Sequence, residues 1–193
     1  DFVPGEIVIP DQLFDYTKGR KRSFFEEGLV VHIGTGEPFC KELSTILYQT
    51  VTSHGTNAHL GGALITIEGL RFSTKVESNV FRAWGMSLIG MTTSPEAFLA
   101  REAEMCYAVM AHVTDYDVWH VSEEPVSVDM VVKTLHQNTE VAQNTILSLV
   151  ENLPEQDTCT CHQALENSFI TNRDAIAPEA KKRLGLLVDK YIK

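Results

Sequence analysis

The chain has 193 residues, 44% hydrophobic and 22% charged, and its 26 acidic and 16 basic side chains leave a formal net charge of -10. That length is enough for one domain with a sizeable core, and the composition is that of an ordinary globular protein. The acidic balance argues against a general nucleic-acid binder, which needs Lys and Arg for phosphate contacts, and no apolar run reaches the ~18 residues of a membrane-spanning helix.

The chain opens on DFVPGEIVIP, without an initiator Met and without a secretory signal pattern. Glu6–Ile9 reads as a strand that sits inside a sheet, so the domain is expected to lack its own beginning. KGRKR, Lys18 to Arg22, reads as a solvated loop rather than a polyanion site. His32 lies in the Gly-rich stretch VVHIGTGEPFC; a lone His is usually structural, and GTG lacks the strand–helix context of a dinucleotide fingerprint.

Helical periodicity runs over Phe39–Val51, with Leu43, Ile46, Leu47 and Val51 on one face. Short β-rich runs follow at Leu64–Glu68, Ser87–Thr92 and Cys106–Thr114. TSPEAFLARE is a helix start: Ser94 can cap, Pro95 suits the first helical position and Glu96 favours the positive dipole end. After Ser127, Val128, Val131, Val132 and Leu135 form an i, i+3, i+4, i+7 stripe that Ile146, Leu147 and Val150 extend. Pro178 opens a terminal helix with Leu184, Leu187, Val188 and Tyr191 along one side. No repeat or linker divides the chain, so residues 1–193 read as a single α/β domain with a mixed central β-sheet flanked by helices.

Four cysteines occur. Cys106, in an apolar run, reads as a small core residue. The CTCH stretch from Cys159 to His162 offers ligand atoms but no second ligand group at zinc spacing, so no metal is expected and free thiols of a cytosolic protein are the simpler account.

In α/β folds ligands bind outside the carboxyl ends of the strands. Three exits then stand out: GLRFST, GMTT and TDYD. Asp115 and Asp117 are two apart, so in an extended segment they face the same way. A carboxyl kept protonated there could donate to a leaving group, and an ionised one could accept from an exocyclic amine. The alternative is an Asp that caps a following turn. The hydroxyls of Gly90-Met91-Thr92-Thr93 could hold a phosphate beside a helix start, or serve as caps. Phe72 could stack on a ring or be a core aromatic.

The blocks VIPDQ, EPFC, TIEGLRFST, GMTTSPEAFLAREAEMCYA and TDYDVW, in that order, resemble the trimeric purine nucleoside phosphorylase family in its methylthioadenosine phosphorylase branch. The resemblance runs from Pro4–Asp15 to about Val126–Leu135 and fades beyond Leu153. It implies a nucleoside phosphorylase-like fold and attack of inorganic phosphate, a co-substrate, on C1' of methylthioadenosine, with no cofactor. The products would be adenine and 5-methylthioribose 1-phosphate, through an oxocarbenium-like transition state.

By the same resemblance Asp115 serves N7 of adenine as the catalytic acid, and Asp117 supports recognition around N6 and N7, with Tyr116 in the same substrate-binding set. Met91 would contact the ribose, Thr92 the phosphate and Phe72 the base or sugar. Ser73 and Val128 fall where the family sets substrate preference, and His32 would reach the 5' end of the substrate in a neighbouring subunit of a homotrimer. Relatives specific for 6-oxopurines carry Glu after the Phe and Asn in place of Asp115. Asp accepts from a 6-amino group whereas an amide can donate to a carbonyl, so Ser73 with Asp115 favours adenine, and Val128 favours a methylthio group.

Two departures stand against the pattern. Leu70 replaces the usual Pro, and the family's amino-terminal half, with its Gly-rich loop and Arg-His pair for phosphate, is absent. A 6-oxopurine nucleoside phosphorylase and a catalytically silent binding or assembly module are the competing readings. The implied location is the cytoplasm, extending to the nucleus.

Overall fold

In the computed structural model, the described residues are 2–25, 28–120, 128–154 and 158–192. Strands β1 (Ile7–Ile9) and β2 (Gln12–Tyr16) pair in parallel with β3 (Ala58–Leu60) and β4 (Ala63–Ile67), respectively. Ile7 stands opposite Ala58 and Gln12 opposite Ala63, so both ladders keep one register. What divides them is Pro10, which lacks an N–H for the ladder, opposite Gly61 and Gly62 at φ 98° and 121°. Hydrogen bonds bridge the break: Gly61 N–H donates to the Ile9 carbonyl at 2.8 Å and Gly62 N–H to Asp11 Oδ1 at 2.9 Å.

β5 (Leu88–Gly90) joins β4 in parallel, and β6 (Ala111–His112) joins β1 antiparallel. The expected mixed sheet is therefore present as two three-stranded ladders in sequence, β3-β1-β6 and β2-β4-β5. The run Cys106–Thr114 shrinks to two paired residues. β2 and β3 are strands that the apolar pattern did not single out, because β2 alternates between exposed and half-buried positions.

Helix α1 (Lys41–Ser53) buries Leu47 and Val51 against Ile7 and Ile9, on the expected face. Helix α2 (Lys75–Ala83) starts at a reciprocal cap. Glu77 N–H donates to Thr74 Oγ1 at 3.2 Å, and Thr74 N–H donates to Glu77 Oε2 at 2.7 Å. Helix α3 (Thr93–Glu102) contains Ser94 in an extended conformation, so regular helix starts at Pro95 as its sequence suggests.

Helix α4 (Val128–Glu151) forms as expected but turns a different face inward. Asn138 and Thr145 are buried, and Val141 and Leu149 pack on the core with α1. The stripe residues Val128, Val132, Ile146, Leu147 and Val150 are exposed; the side chains of Val131 and Leu135 lie outside the described residues. Apolar spacing marks an amphipathic helix, but here it marked the outward side.

The terminal helix α5 (Pro178–Val188) behaves as predicted. Leu184 and Val188 are buried with Phe25, Leu29 and Leu165, and Leu187 and Tyr191 pack beside them. Glu104 fastens this unit to the end of α3: it accepts from Leu165 N–H at 3.0 Å, from Lys190 Nζ at 3.2 Å and from Tyr191 Oη–H. Burial pushes the Glu104 carboxyl up, but these donors together hold its pKa below the usual value.

The basic cluster is not simply solvated. Arg20 Nη1 donates to the Met91 and Ser94 carbonyls at 2.8 and 2.6 Å, Nη2 to the Glu68 carbonyl at 2.7 Å, and Nε to Glu68 Oε1 at 2.9 Å. One guanidinium thus ties together the exits of β4 and β5 and the start of α3.

The cysteines are not dispersed either. Sγ atoms of Cys40, Cys106, Cys159 and Cys161 all lie within 4.8 Å of one another, so the fold brings to the C-x-C pair the second ligand group that spacing alone did not reveal. Desolvation and the neighbouring thiols push Cys106 and Cys161 up. Burial also raises Cys159, but hydrogen bonds led by the Cys161 backbone N–H bring it down on balance.

Candidate functional site

β6 leads into the acids through Val113 and Thr114. Thr114 Oγ1–H donates to Asp115 Oδ2 at 2.6 Å, and Asp117 N–H donates to Asp115 Oδ1 at 2.8 Å. The second bond closes a turn from which a short 3-10 helix, Asp117–Trp119, departs. The segment is therefore not extended, and alternation does not set where the acids point. Asp115 does act as the turn-forming acid, while each oxygen keeps a lone pair for a ligand.

Asp117 takes φ 56°, a left-handed conformation that non-glycine residues seldom adopt. Among the described residues its Oδ2 is buried with no hydrogen-bond partner. A buried acceptor without a donor is costly, and a strained backbone beside it is the kind of feature found at binding sites.

Asp115, Tyr116 and Asp117 line a cleft of about 330 Å³ together with Thr92 and Thr93, the strand β5 and residues 109–114. Because β6 runs antiparallel to β1, the three strand exits do not share one edge. The cleft still reaches from the acids to the Thr92 exit because it follows the length of β5. Thr92 is exposed, and its hydroxyl makes no cap bond to α3.

Met91 stands beside this wall, against Gly69, where an added Cβ would lie 3.3 Å from Met91 Sδ; Gly69 takes φ 88°. Phe72 is 40% exposed just past this turn, and Ser73 lines a neighbouring hollow with Glu68 and Arg71. Leu70 takes φ 66°, which a proline ring cannot reach. The replacement of Pro at this position therefore accompanies a different turn ahead of Phe72.

His32 is not brought to the acids. Its N–H donates to the Ser168 carbonyl at 2.8 Å, next to the Val31–Phe169 bridge, on the terminal unit. Val128 is exposed at the first turn of α4 and is absent from the cleft wall.

Three cleft residues escaped the sequence reading. His112 is half-buried, burial lowers its pKa, and its Nδ1 is buried without a partner among the described residues. Arg82 lies over the Trp119 ring at 3.5 Å and, among the described residues, is the only Lys or Arg on the lining. Trp119 itself packs edge-on to Tyr116, which stacks on His120 at 4.7 Å. His112 was hidden in an apolar run, and Arg82 on a helix with no motif.

The family model of the phosphorylase superfamily matches residues 1–151. An S-methyl-5'-thioadenosine phosphorylase of Koribacter versatilis is 45% identical over 188 residues, covering 97% of this chain and 64% of its own length. The crystal structure of a methylthioadenosine phosphorylase from an Antarctic soil metagenomic library superposes with a TM-score of 0.89 at 39% identity, over 96% of this chain and 66% of that one. A Schistosoma mansoni methylthioadenosine phosphorylase in complex with adenine gives 0.79 at 32% identity, over 85% and 64%. The chain thus spans about two thirds of the length of the relatives it matches.

Proposed function

The chain belongs to the phosphorylase superfamily, and we propose that it carries the purine side of an enzyme that splits S-methyl-5'-thioadenosine with phosphate. Phosphate attacks C1' as the C1'–N9 bond breaks, giving adenine and 5-methylthioribose 1-phosphate. Adenine leaves readily only once N7 gains a proton or a strong hydrogen bond, so a carboxyl at N7 lowers the barrier. Asp115 has that role, and Asp117 accepts from the 6-amino group.

The observation that carries this reading is the free, buried Oδ2 of Asp117 beside an Asp115 oriented by two hydrogen bonds. An acceptor in want of a donor suits an exocyclic amine and disfavours a 6-carbonyl. The adenine complex of the Schistosoma mansoni relative supports the same base. Thr92 would serve phosphate, Met91 the ribose and Phe72, with Tyr116, the base; Ser73 and Val128 would set preference. No cofactor takes part.

The functional unit is a homotrimer, in which His32 serves a neighbouring subunit; within one chain it bonds to Ser168 instead of lining the cleft, which supports that placing. Among the described residues no helix is long and apolar enough to cross a membrane, and the location that the resemblance implies is the cytoplasm. The test is phosphate-dependent release of adenine from methylthioadenosine by the native gene product, run beside hypoxanthine release from inosine. Faster inosine cleavage would replace this reading with a 6-oxopurine enzyme, and adenine binding without turnover would replace it with a silent module.

A further inference from the structure

We propose that Cys40, Cys106, Cys159 and Cys161 form a closed tetrathiolate site for a structural metal ion of zinc type. All four Sγ atoms lie within 4.8 Å of one another. A tetrahedral centre with Zn–S bonds of about 2.3 Å has sulfur–sulfur edges of about 3.8 Å, so the cluster needs little contraction to accept an ion. The Sγ atoms of Cys40 and Cys159 are 3.5 Å apart, close to that edge and well beyond the ~2.05 Å of a disulfide.

The loops that present the thiols are fixed beside each ligand. Cys40 caps α1, and its N–H donates to the Tyr107 carbonyl at 2.8 Å, holding the first ligand next to the segment that bears Cys106. Glu104, two residues before Cys106, receives His162 Nδ1 on its carbonyl at 2.8 Å and Leu165 N–H on its side chain, which holds the C-x-C turn in place. Cys159 leads into a 3-10 turn that carries Cys161. C-x-C is shorter than the usual zinc spacing, and this turn lets two residues so close in sequence reach one centre.

Charge compensation is also present. Binding would follow Zn²⁺ + 4 RSH → Zn(SR)₄²⁻ + 4 H⁺, leaving two negative charges in a buried site. Arg101 Nη1 lies 3.5 Å from Cys161 Sγ, and the Leu43 N–H donates to Cys40 Sγ at 3.4 Å in the first turn of α1. Such outer donors and a helix N-terminus are what a thiolate centre needs. Four protein ligands and burial leave no open position for substrate, so the ion would be structural. It would tie the carboxy-terminal segment, beyond the matched residues 1–151, to α1 and to the approach to β6.

The test uses the native gene product, purified under reducing conditions without chelator or affinity-tag metal. Elemental analysis should find about one zinc per chain, and cobalt added to chelator-stripped protein should give a thiolate-to-cobalt charge-transfer band. Cys161→Ser should lower zinc content at least several-fold and weaken the band; the wild-type readings stand even if that variant fails to fold. Wild-type protein that retains no zinc and gives no cobalt band overturns the proposal. So does protein purified without reductant that holds no zinc, has a mass short of two hydrogens per cysteine pair against its reduced form, and takes up neither zinc nor cobalt once reduced, which would make the cluster a disulfide framework instead.

Discussion

The Asp117 backbone N–H closes a turn onto Asp115 Oδ1 at 2.8 Å, so one acid sets the backbone that strains the other. Asp115→Asn keeps an oxygen for that N–H, and Thr114 can accept from the new amide. The change removes the carboxyl without opening the turn. On the proposed mechanism, kcat/KM for methylthioadenosine should fall about 100- to 10,000-fold, the worth of a positioned acid or base. Stability should move by less than about 1 kcal/mol. Steady-state kinetics beside urea unfolding separate the two. Equal losses in both would make Asp115 a turn former alone.

Arg20 holds the Glu68, Met91 and Ser94 carbonyls at one point, at 21% side-chain exposure. Removing it strands partly buried carbonyls that no other described side chain is seen to meet. Arg20→Ala should cost about 2–3 kcal/mol in urea unfolding. Arg20→Lys should recover little, because one ammonium cannot reach two strand exits in the fork geometry of a guanidinium. A lysine variant as stable as wild type would show that charge alone suffices there.

Glu77 joins a bidentate pair with Arg71, at 2.7 Å on each oxygen, to the cap of α2. The Arg71 guanidinium, then the Thr74 backbone N–H, hold its pKa down from 4.5 to about 2. A depressed carboxyl contributes stability that is whole above pH 4.5 and is lost as pH falls through about 2. Wild type and Glu77→Gln should therefore differ most at neutral pH and converge towards pH 2. Urea midpoints measured across that range check the sign; a gap that widens on acidification would reverse it.

Much of this was readable from residue patterns, and the failures have physical causes. α1 and α5 were legible because their apolar periodicity agrees with the faces they bury, and α3 because Pro95 opens it as expected, although Ser94 Oγ meets no partner among the described residues and makes no cap. α4 misled because its buried side uses Asn138 and Thr145 while Ile146 and Leu147 face out. The acids were legible as a pair, but their geometry was not, since a turn at Asp115 replaces the expected extension. Long-range partnerships left no local trace: Arg82 over Trp119, Arg20 across two strand exits, and four cysteines drawn from three separate segments.

Leu70 supplies a test of the turn ahead of Phe72. It is fully exposed and takes φ 66°, between Gly69, packed against Met91, and Arg71, paired with Glu77. A left-handed L-residue costs roughly 1–2 kcal/mol, and an exposed side chain returns nothing for it. Leu70→Gly removes that strain but gains freedom in the unfolded chain, so a net stabilisation of about 0.5–1 kcal/mol is expected. Leu70→Pro restores the residue that the resemblance leads one to expect, yet its ring fixes φ near −65°. The turn must then rebuild between two anchored neighbours, at a cost of about 1–3 kcal/mol. Urea unfolding of both variants decides the matter: a proline variant as stable as wild type would mean that this turn follows the family's course after all, with Phe72 presented as it is there.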